Sequence, residues 1–179
     1  VTATDGNGQT VGDTFAVTVS NANDAPTVAN PIADQPATED APFSHQFPSN
    51  TFNDLDGDAF SYAATLGDGS ALPGWLSFDA ATRTFSGTPT NADVGTITVR
   101  VTASDGNGGT VTDTFTITVT DTNDAPTVAN PIADQNATED SAFSYQFASN
   151  VFADVDAGDT LTYSATLADG SALPSWLSF

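Results

Sequence analysis

A long internal duplication is the feature that most constrains the fold of this chain. The segment Asn23–Gln35 (NDAPTVANPIADQ) returns unchanged 100 positions later, at Asn123–Gln135. A second block, Ser70–Phe78, returns with one substitution at Ser171–Phe179, offset by 101 because the loop at positions 157–159 has one extra residue. A repeat of about 100 residues is the size of a single immunoglobulin-like β-sandwich.

The repeat divides the chain into three parts. We interpret residues 1–22 as the C-terminal part of one repeat, residues 23–122 as a complete repeat and residues 123–179 as the N-terminal part of a further one. The segments Asn23–Thr27 and Asn123–Thr127 are the natural junctions, because proline stiffens a linker and blocks continued strand pairing. The chain begins within a strand pattern and has no methionine, so we expect it to be an internal segment of a longer protein.

Alternation of apolar and polar residues in the complete repeat predicts an all-β fold. Thr96–Ala103 and Thr114–Thr120 place an apolar side chain at every second position, which is the period of a half-buried strand. The glycine-containing loop Asp105–Gly109 joins them as in a hairpin. Further strands are predicted at Phe43–Phe47, Phe60–Leu66, Trp75–Phe78 and Thr84–Ser86, with Thr27–Thr38 as an extended edge segment. This pattern, without a helical period, predicts two stacked antiparallel sheets in tandem β-sandwich repeats.

Negative charge excludes several classes of function. The chain carries 23 acidic residues, two arginines and no lysine, for a formal net charge of −21. Nucleic acids and anionic membranes are bound by basic surfaces, and no apolar stretch approaches the roughly 20 residues that cross a bilayer. We therefore expect no nucleic-acid partner, no membrane insertion and an attraction for cations. The alternative is an acidic, solubilising surface of the kind found in salt-adapted proteins.

The strand order predicts that acids gather at the two ends of the sandwich. From Pro26 to Glu39, an extended chain covers roughly 43 Å at about 3.3 Å per residue, which is the length of a whole domain. Glu39 is therefore predicted at the end opposite Asn23. The first junction is predicted to collect Asn23, Asp24, Asp54, Asp56 and Asp105. The second is predicted to collect Glu39, Asp93, Asp121, Asn123 and Asp124, with Asp154 and Asp156 of the next repeat.

Convergent carboxylate and amide oxygens predict Ca²⁺ at these junctions, because calcium takes about six to eight oxygen ligands. The chain has no cysteine and one histidine, so no soft site for zinc or copper is available. The only glutamates, Glu39 and Glu139, occupy the same repeat position, which favours a specific ligand over general acidity. The alternative is a turn or strand-end acid beside Asp40 and Asp140.

Several motifs, in order, carry a family resemblance. Asp121–Pro126 (DTNDAP) resembles the calcium-binding linker of cadherins, and Asp54–Asp56 and Asp154–Asp156 resemble the cadherin Asp-x-Asp pair. Pro73–Asp79 and Phe85–Pro89 are similar to the dystroglycan-type cadherin-like repeats, also described as immunoglobulin-like, of large bacterial surface proteins and repeat-in-toxin-type adhesins. The resemblance implies Ca²⁺-dependent rigidity, a role in adhesion and an extracellular location at the bacterial cell surface.

Two departures from the cadherin pattern qualify these expectations. The Leu-Asp-Arg-Glu motif of cadherins is not present, so Asp93 is a candidate ligand by position alone. Asn21 stands in the first linker where the second has Asp121. The first junction is therefore predicted to bind fewer or weaker ions than the second.

A structural or adhesion stalk, with neighbouring repeats as its partners, is the leading functional hypothesis, and an enzyme is not predicted. The single histidine, His45, has Tyr145 as its counterpart, and one histidine does not allow a Ser-His-Asp triad at each repeat. Two alternatives stay open. One is a polysaccharide-binding module that uses Trp75 and Trp176. The other is an assembly unit whose partial repeats pair with other copies into head-to-tail filaments.

Overall fold

The middle part of the chain folds into two facing sheets, as the alternation predicts. The computed structural model describes all 179 residues, Val1–Phe179. The strands are β1 (Thr2–Thr4), β2 (Thr10–Gly12), β3 (Thr27–Val28), β4 (Gln35–Thr38), β5 (Phe43–Gln46), β6 (Phe52–Asn53), β7 (Ser61–Leu66), β8 (Leu76–Asp79), β9 (Thr84–Gly87), β10 (Gly95–Ser104), β11 (Thr110–Thr120), β12 (Thr127–Val128) and β13 (Phe152–Ala153).

The larger sheet of the complete repeat determines where Glu39 and the start of the second linker lie. Its strand order is β4–β11–β10–β7, with β10 antiparallel to both neighbours. β4 is the edge strand and runs parallel to β11, in a register that ends with Thr38 opposite Thr120. Because parallel strands end at the same edge of a sheet, the next residue of each strand, Glu39 and Asp121, arrives at the same end of the sandwich. The predicted position of Glu39 is therefore confirmed.

The core lies between this sheet and a second one, which has the order β5–β9–β8. Phe47 is fully buried at its centre, where its ring packs edge-to-face on Tyr62 and stacks on Phe78. Val99, Val101 and Ile117, the inward residues of β10 and β11, have no exposed surface. Burying each such side chain contributes about 1.5–3 kcal/mol, so the alternating pattern is also the main source of stability.

Trp75 lies against the core of the complete repeat. Its indole is half-buried and meets the ring of Phe43 edge-to-face, with the centroids 6.0 Å apart. A side chain at Gly87 would overlap the carbonyl oxygen of Trp75, so β9 can approach this backbone only with glycine. Packing against the core is sufficient to explain the placement of Trp75. Stacking of its indole on a sugar stays a prediction.

His45 also occupies a packing position. Its ring lies 5.8 Å from that of Phe115, and its Nε2 is buried without a hydrogen-bond partner. Burial lowers the pKa of His45 below its ordinary value of 6.5. The side chain therefore fills a half-buried site, as its counterpart Tyr145 indicates.

The flanking parts form fewer strands than the complete repeat. β1 and β2 form an antiparallel hairpin, but the segment 14–19, which repeats the alternation of β11, is not a strand. Its side chains Phe15, Val17 and Val19 are 73%, 74% and 88% exposed. In residues 123–179 only the two-residue strands β12 and β13 pair. Strands need paired neighbours, and the segment 14–19 pairs with no strand of this chain.

An apolar groove of about 610 Å³ lies in residues 126–179. Phe143, Phe147 and Phe152 line it, and their counterparts Phe43, Phe47 and Phe52 are core residues of the complete repeat. The groove therefore corresponds to the core face that packs against β9, β10 and β11 in the complete repeat. The one helical segment is a 3-10 turn at Asn91–Asp93, and a membrane-crossing helix is not among the elements.

Candidate metal centre

Glu39 is the most buried acid of the second junction. Its side chain is only 2% exposed, although it follows directly after β4. Its Oε1 accepts a hydrogen bond from the Thr122 N–H at 2.6 Å, whereas its Oε2 is buried without a partner. An unpartnered carboxylate oxygen is costly to bury unless an opposite charge compensates it. A cation bound beside this atom would supply such a charge.

Two further carboxylates join Glu39 from outside its own repeat. Asp124 lies in the linker and Asp156 in the next repeat, and carboxylate oxygens of these three residues lie within 4.8 Å of one another. The Asp124 N–H donates to Asp156 Oδ2 at 2.6 Å, and the Asp156 N–H donates to Asp154 Oδ1 at 3.1 Å. Asp156 is only 7% exposed. One compact group therefore joins two repeats and the linker between them.

Crowding of negative charge raises proton affinity at this junction. The Thr122 N–H acts to lower the pKa of Glu39, but burial and the carboxylates of Asp121 and Asp40 outweigh it and raise that pKa above 4.5. The Asp124 N–H likewise acts to lower the pKa of Asp156, and burial with the neighbouring carboxylates raises it above 3.8. Both groups hold their charge under repulsion, which a bound cation would relieve.

An amide lies among these carboxylates. Asn91 Nδ2 donates to Asp124 Oδ2 and to Asp156 Oδ1, each at 3.1 Å. Asp93, on the same 3-10 turn, instead accepts hydrogen bonds at its Oδ2 from the N–H and the hydroxyl of Thr90. The structure therefore brings Asn91 into the group and uses Asp93 to hold the turn.

The other predicted residues of the second junction lie at its edge. Asp121 and Asn123 are exposed; Asp121 is close enough to Glu39 to affect its pKa, and Asn123 donates its amide to the Asp124 carbonyl at 2.9 Å. Asp154 also belongs to a second acidic group, with Asp156 and Asp159. Asp159, which lies in the loop with the extra residue, was not predicted.

The first junction is built around Asp56. Its Oδ1 accepts from Asn21 Nδ2 and its Oδ2 from the Asp24 N–H, both at 2.6 Å. The Asp56 N–H donates to Asp54 Oδ1 at 2.8 Å, while Asp54 Oδ2 is buried without a partner. The hydrogen bonds from Asp24 and Asn21 lower the pKa of Asp56 below 3.8, despite the nearby Asp105.

Asp105 completes the first junction. It is 4% exposed and accepts from Asn23 Nδ2 at 3.0 Å and from the N–H groups of Asn107 and Gly109. The Asn23 amide is the main cause that lowers the pKa of Asp105. All five predicted residues of this junction therefore come together. Asp58, which forms an acidic group with Asp54 and Asp56, was not predicted.

The donors at both junctions fit a hard divalent cation. Every side-chain ligand available is a carboxylate or amide oxygen, which suits Ca²⁺ or Mg²⁺ and not a thiolate-preferring metal. The buried Oε2 of Glu39 and the buried Oδ2 of Asp54 provide one orphaned oxygen at each junction. Both acidic groups could bind a metal, and the second has the greater uncompensated charge.

The sequence matches the family described as Putative Ig domain at residues 25–120 and again at residues 125–179. No protein of curated function matches the chain.

Low-scoring similarities of fold extend to solved structures. An endo-fucoidan hydrolase of glycoside hydrolase family 107 is 24% identical over 67% of this chain and 18% of its own, with a TM-score of 0.45. Drosophila N-cadherin EC1-3 is 17% identical over 56% of this chain and 35% of its own, with a TM-score of 0.45. The chain thus spans well under half of each protein. The family match covers most of the sequence, and the chain belongs to the Putative Ig domain family, as immunoglobulin-like β-sandwich repeats.

Proposed function

We propose that this chain is a structural or adhesion module of an extracellular bacterial surface protein, in which Ca²⁺ bound between repeats stiffens a row of β-sandwiches. The observation that carries the proposal is Glu39, which has a buried, unpartnered Oε2 and belongs to a group of carboxylates from two repeats. Glu39, Asp124 and Asp156 would hold the ion, with Asp121 and Asp154 beside them. The ion would supply positive charge that offsets the repulsion among them.

Binding at such a site is coupled to the geometry of the junction. A ligand that binds only the assembled arrangement stabilises that arrangement by mass action. Because Glu39 belongs to one repeat and Asp156 to the next, the ion would favour one relative placement of the two. Without the ion, repulsion among the carboxylates favours their separation. Calcium would therefore act on the length and stiffness of the chain.

The rest of the chain supports an extracellular, non-catalytic role. Immunoglobulin-like domains are typical of extracellular proteins, and the absence of cysteine leaves metal as the available staple at the junctions. The Asp-x-Asp pair recurs at both junctions, as Asp54 with Asp56 and as Asp154 with Asp156. A site that recurs once per repeat suits a structural function better than a catalytic one.

Thermal melting and small-angle X-ray scattering of the chain, with calcium and with chelator, test this function. We expect calcium to raise the melting temperature and to give a longer, narrower particle. Magnesium at the same concentration is the control for charge screening, and we expect a smaller effect because it retains more of its water. A melting temperature and maximum dimension that calcium leaves unchanged would contradict the proposal.

Assembly between copies is the second candidate, and one observation favours it. The exposed Phe15, Val17 and Val19 correspond to the buried Phe115, Ile117 and Val119 of β11, which is one of the strands missing from the groove in residues 126–179. The segment 1–20 of one copy therefore has the pattern that the groove of another accepts. Sedimentation at several concentrations tests it: association that Phe15→Ser weakens is expected, and a monomer at every concentration excludes it.

A further inference from the structure

We propose that side-chain amides hold the junctions together when no ion is bound, and that Asn91 does so at the second junction before becoming a ligand itself. This inference rests on the proposed function, because it concerns the same site. Asn91 would act as a clamp in the ion-free state and would offer its amide oxygen in the ion-bound state. The junction would then change stiffness with calcium without coming apart in its absence.

The two junctions hold the equivalent aspartate in the same way. Asp56 Oδ2 and Asp156 Oδ2 each accept a backbone N–H at 2.6 Å, from Asp24 and Asp124. The Oδ1 of each accepts a side-chain amide, at 2.6 Å for Asp56 and 3.1 Å for Asp156. In each junction, the equivalent aspartate thus accepts a hydrogen bond at both of its carboxylate oxygens.

The amide comes from a different part of the chain in each case. At the first junction it belongs to Asn21 of the linker, and at the second to Asn91 of the turn before β10. The second linker has Asp121 at the position of Asn21, and a carboxylate there cannot donate a hydrogen bond at neutral pH. Asn91 therefore supplies the donor that the second linker lacks.

Asn91 is placed to bridge three segments at once. Its amide group has two N–H donors, and they reach one carboxylate of the linker and one of the next repeat. Hydrogen bonds to a carboxylate are stronger than those between neutral groups, so the amide offsets part of the repulsion between Asp124 and Asp156. The N–H and the hydroxyl of Thr90 both donate to Asp93 Oδ2, and these bonds hold the turn that carries Asn91.

The same amide can serve either state of the junction. A half-turn about its Cβ–Cγ bond exchanges Nδ2 and Oδ1, so the group that donates to carboxylates can present an oxygen in the same place. Amide oxygens are ordinary ligands of Ca²⁺. Glu39 Oε2, which no hydrogen bond satisfies, has no such clamp. Its charge would attract the ion, and the amide would then turn.

Two substitutions of Asn91 separate the clamp from the ligand. In chelator, we expect Asn91→Ala to lower the melting temperature and to broaden the distance distribution in scattering. We expect Asn91→Asp to do both more strongly, because it removes the donors and adds a charge. In calcium titrations, we expect Asn91→Ala to weaken binding by about tenfold, in the range seen when groups that orient metal ligands are lost, and Asn91→Asp to restore it. Asn136→Ala, at an exposed amide away from both junctions, is the control.

A double variant that exchanges the amide and the carboxylate distinguishes loss of the clamp from a failure to fold. The double variant Asn91→Asp with Asp156→Asn restores one amide–carboxylate pair with its members reversed, so in chelator it is expected to melt higher than Asn91→Asp alone. The clamp is overturned if Asn91→Ala changes neither the melting temperature nor the dimensions in chelator. If the wild-type chain binds no calcium, the proposed function fails, and the chelator measurements still decide whether the clamp exists.

Discussion

The two junctions use the same Asp-x-Asp pair and differ in how its charge is compensated. At the first, the Asp24 N–H and the Asn21 amide lower the pKa of Asp56, and the Asn23 amide lowers the pKa of Asp105. At the second, burial and neighbouring carboxylates raise the pKa of Glu39 and of Asp156, and one amide serves two carboxylates. The first junction is therefore compensated mainly by hydrogen bonds, whereas the second has charge left for a cation to neutralise.

This difference teaches that sequence similarity at a linker does not ensure similar dependence on metal. One position, Asn21 against Asp121, exchanges a hydrogen-bond donor for a negative charge. We infer that the linker with Asp121 responds more strongly to calcium than the linker with Asn21, because it offers one more negative charge for a cation to neutralise.

Glu39→Gln is expected to remove most of the stabilisation that calcium gives. At a calcium concentration one hundred times Kd, binding stabilises the folded chain by about 2.7 kcal/mol, and the variant lacks the buried charge that the ion would neutralise. In chelator, the variant should melt no lower than the wild type. The ionised Glu39 of the wild type is repelled by neighbouring carboxylates, and glutamine removes that repulsion. Calorimetry under both conditions measures this. Glu139→Gln, at the exposed counterpart, is the matched control, and an equal loss in both conditions would show that Glu39 is only structural.

Gly109→Gln is expected to destabilise the first junction and to leave the second unchanged. Gln9 is the residue at the equivalent position of the first part. A Cβ at Gly109 would overlap Asp105 Oδ2 and lie 2.9 Å from Pro26 Cδ, and overpacking of this kind costs about 1–3 kcal/mol. Denaturant unfolding measures the loss of stability at the first junction, and calcium titration measures whether binding at the second is unchanged. Gly74→Ser is the control because a side chain there meets no atom within 4 Å; a similar loss in both variants would contradict the contrast.

Exchanging Asn21 and Asp121 is expected to exchange the behaviour of the junctions. Asn21→Asp removes the donor to Asp56 and adds a like charge, so it should cost about 1 kcal/mol in chelator and increase the calcium bound. Asp121→Asn should relieve Glu39 and reduce the response to calcium. Calcium stoichiometry by calorimetric titration and melting in chelator measure both. If the two variants change calcium binding in the same direction, this linker position does not determine the difference.

In chelator, lowering the pH towards 4.5 is expected to stabilise the second junction, whereas the first junction loses stability only at pH below 3.8. The folded pKa of Glu39 lies above 4.5, so its contribution to stability is full below 4.5 and is lost as pH rises through the raised value. The folded pKa values of Asp56 and Asp105 lie below 3.8, so their contributions are present above 3.8 and are lost as pH falls through the lowered values. Melting of the wild type minus that of Glu39→Gln should therefore rise as pH is lowered from 7 towards 4.5. A flat difference would show that Glu39 ionises without penalty.

Much of the arrangement at the ends of the sandwich follows from the repeat and from strand length. Counting along Pro26–Glu39 predicts that Glu39 reaches the end where Asp121 leaves β11, and the parallel pairing of β4 with β11 places it there. Most strands of the complete repeat are predicted to within a few residues. The exceptions are β6, which is not predicted, β3 and β4, which are predicted as one extended segment, and β11, which begins four residues earlier, at Thr110. Apolar alternation determines these features, and it is visible in a single sequence.

The role of the amides could not be predicted from the sequence, because they carry no charge. Asn91 and Asn21 act through hydrogen bonds whose partners are distant in sequence, and nothing local distinguishes them from loop asparagines. Asp93 was predicted at the site because an acid at that end of the sandwich fits the general pattern. Its spacing from Thr90 is a Thr-x-x-Asp variant of the capping-box pattern, and that signal could have indicated that its carboxylate is used locally.

The parallel pairing of β4 with β11 also determines how the repeat would respond to tension. A pull transmitted along a chain of repeats enters at β3, reaches β4 through residues 29–34 and leaves at the end of β11. Because these strands point the same way, the pull slides one past the other and strains the hydrogen bonds between Gln35–Thr38 and Ile117–Thr120 together, instead of opening them one at a time. Resistance to forced unfolding depends on the rate of unfolding and not on equilibrium stability alone. A tether built from such repeats would thus keep its folded length under brief loads, with or without bound ions.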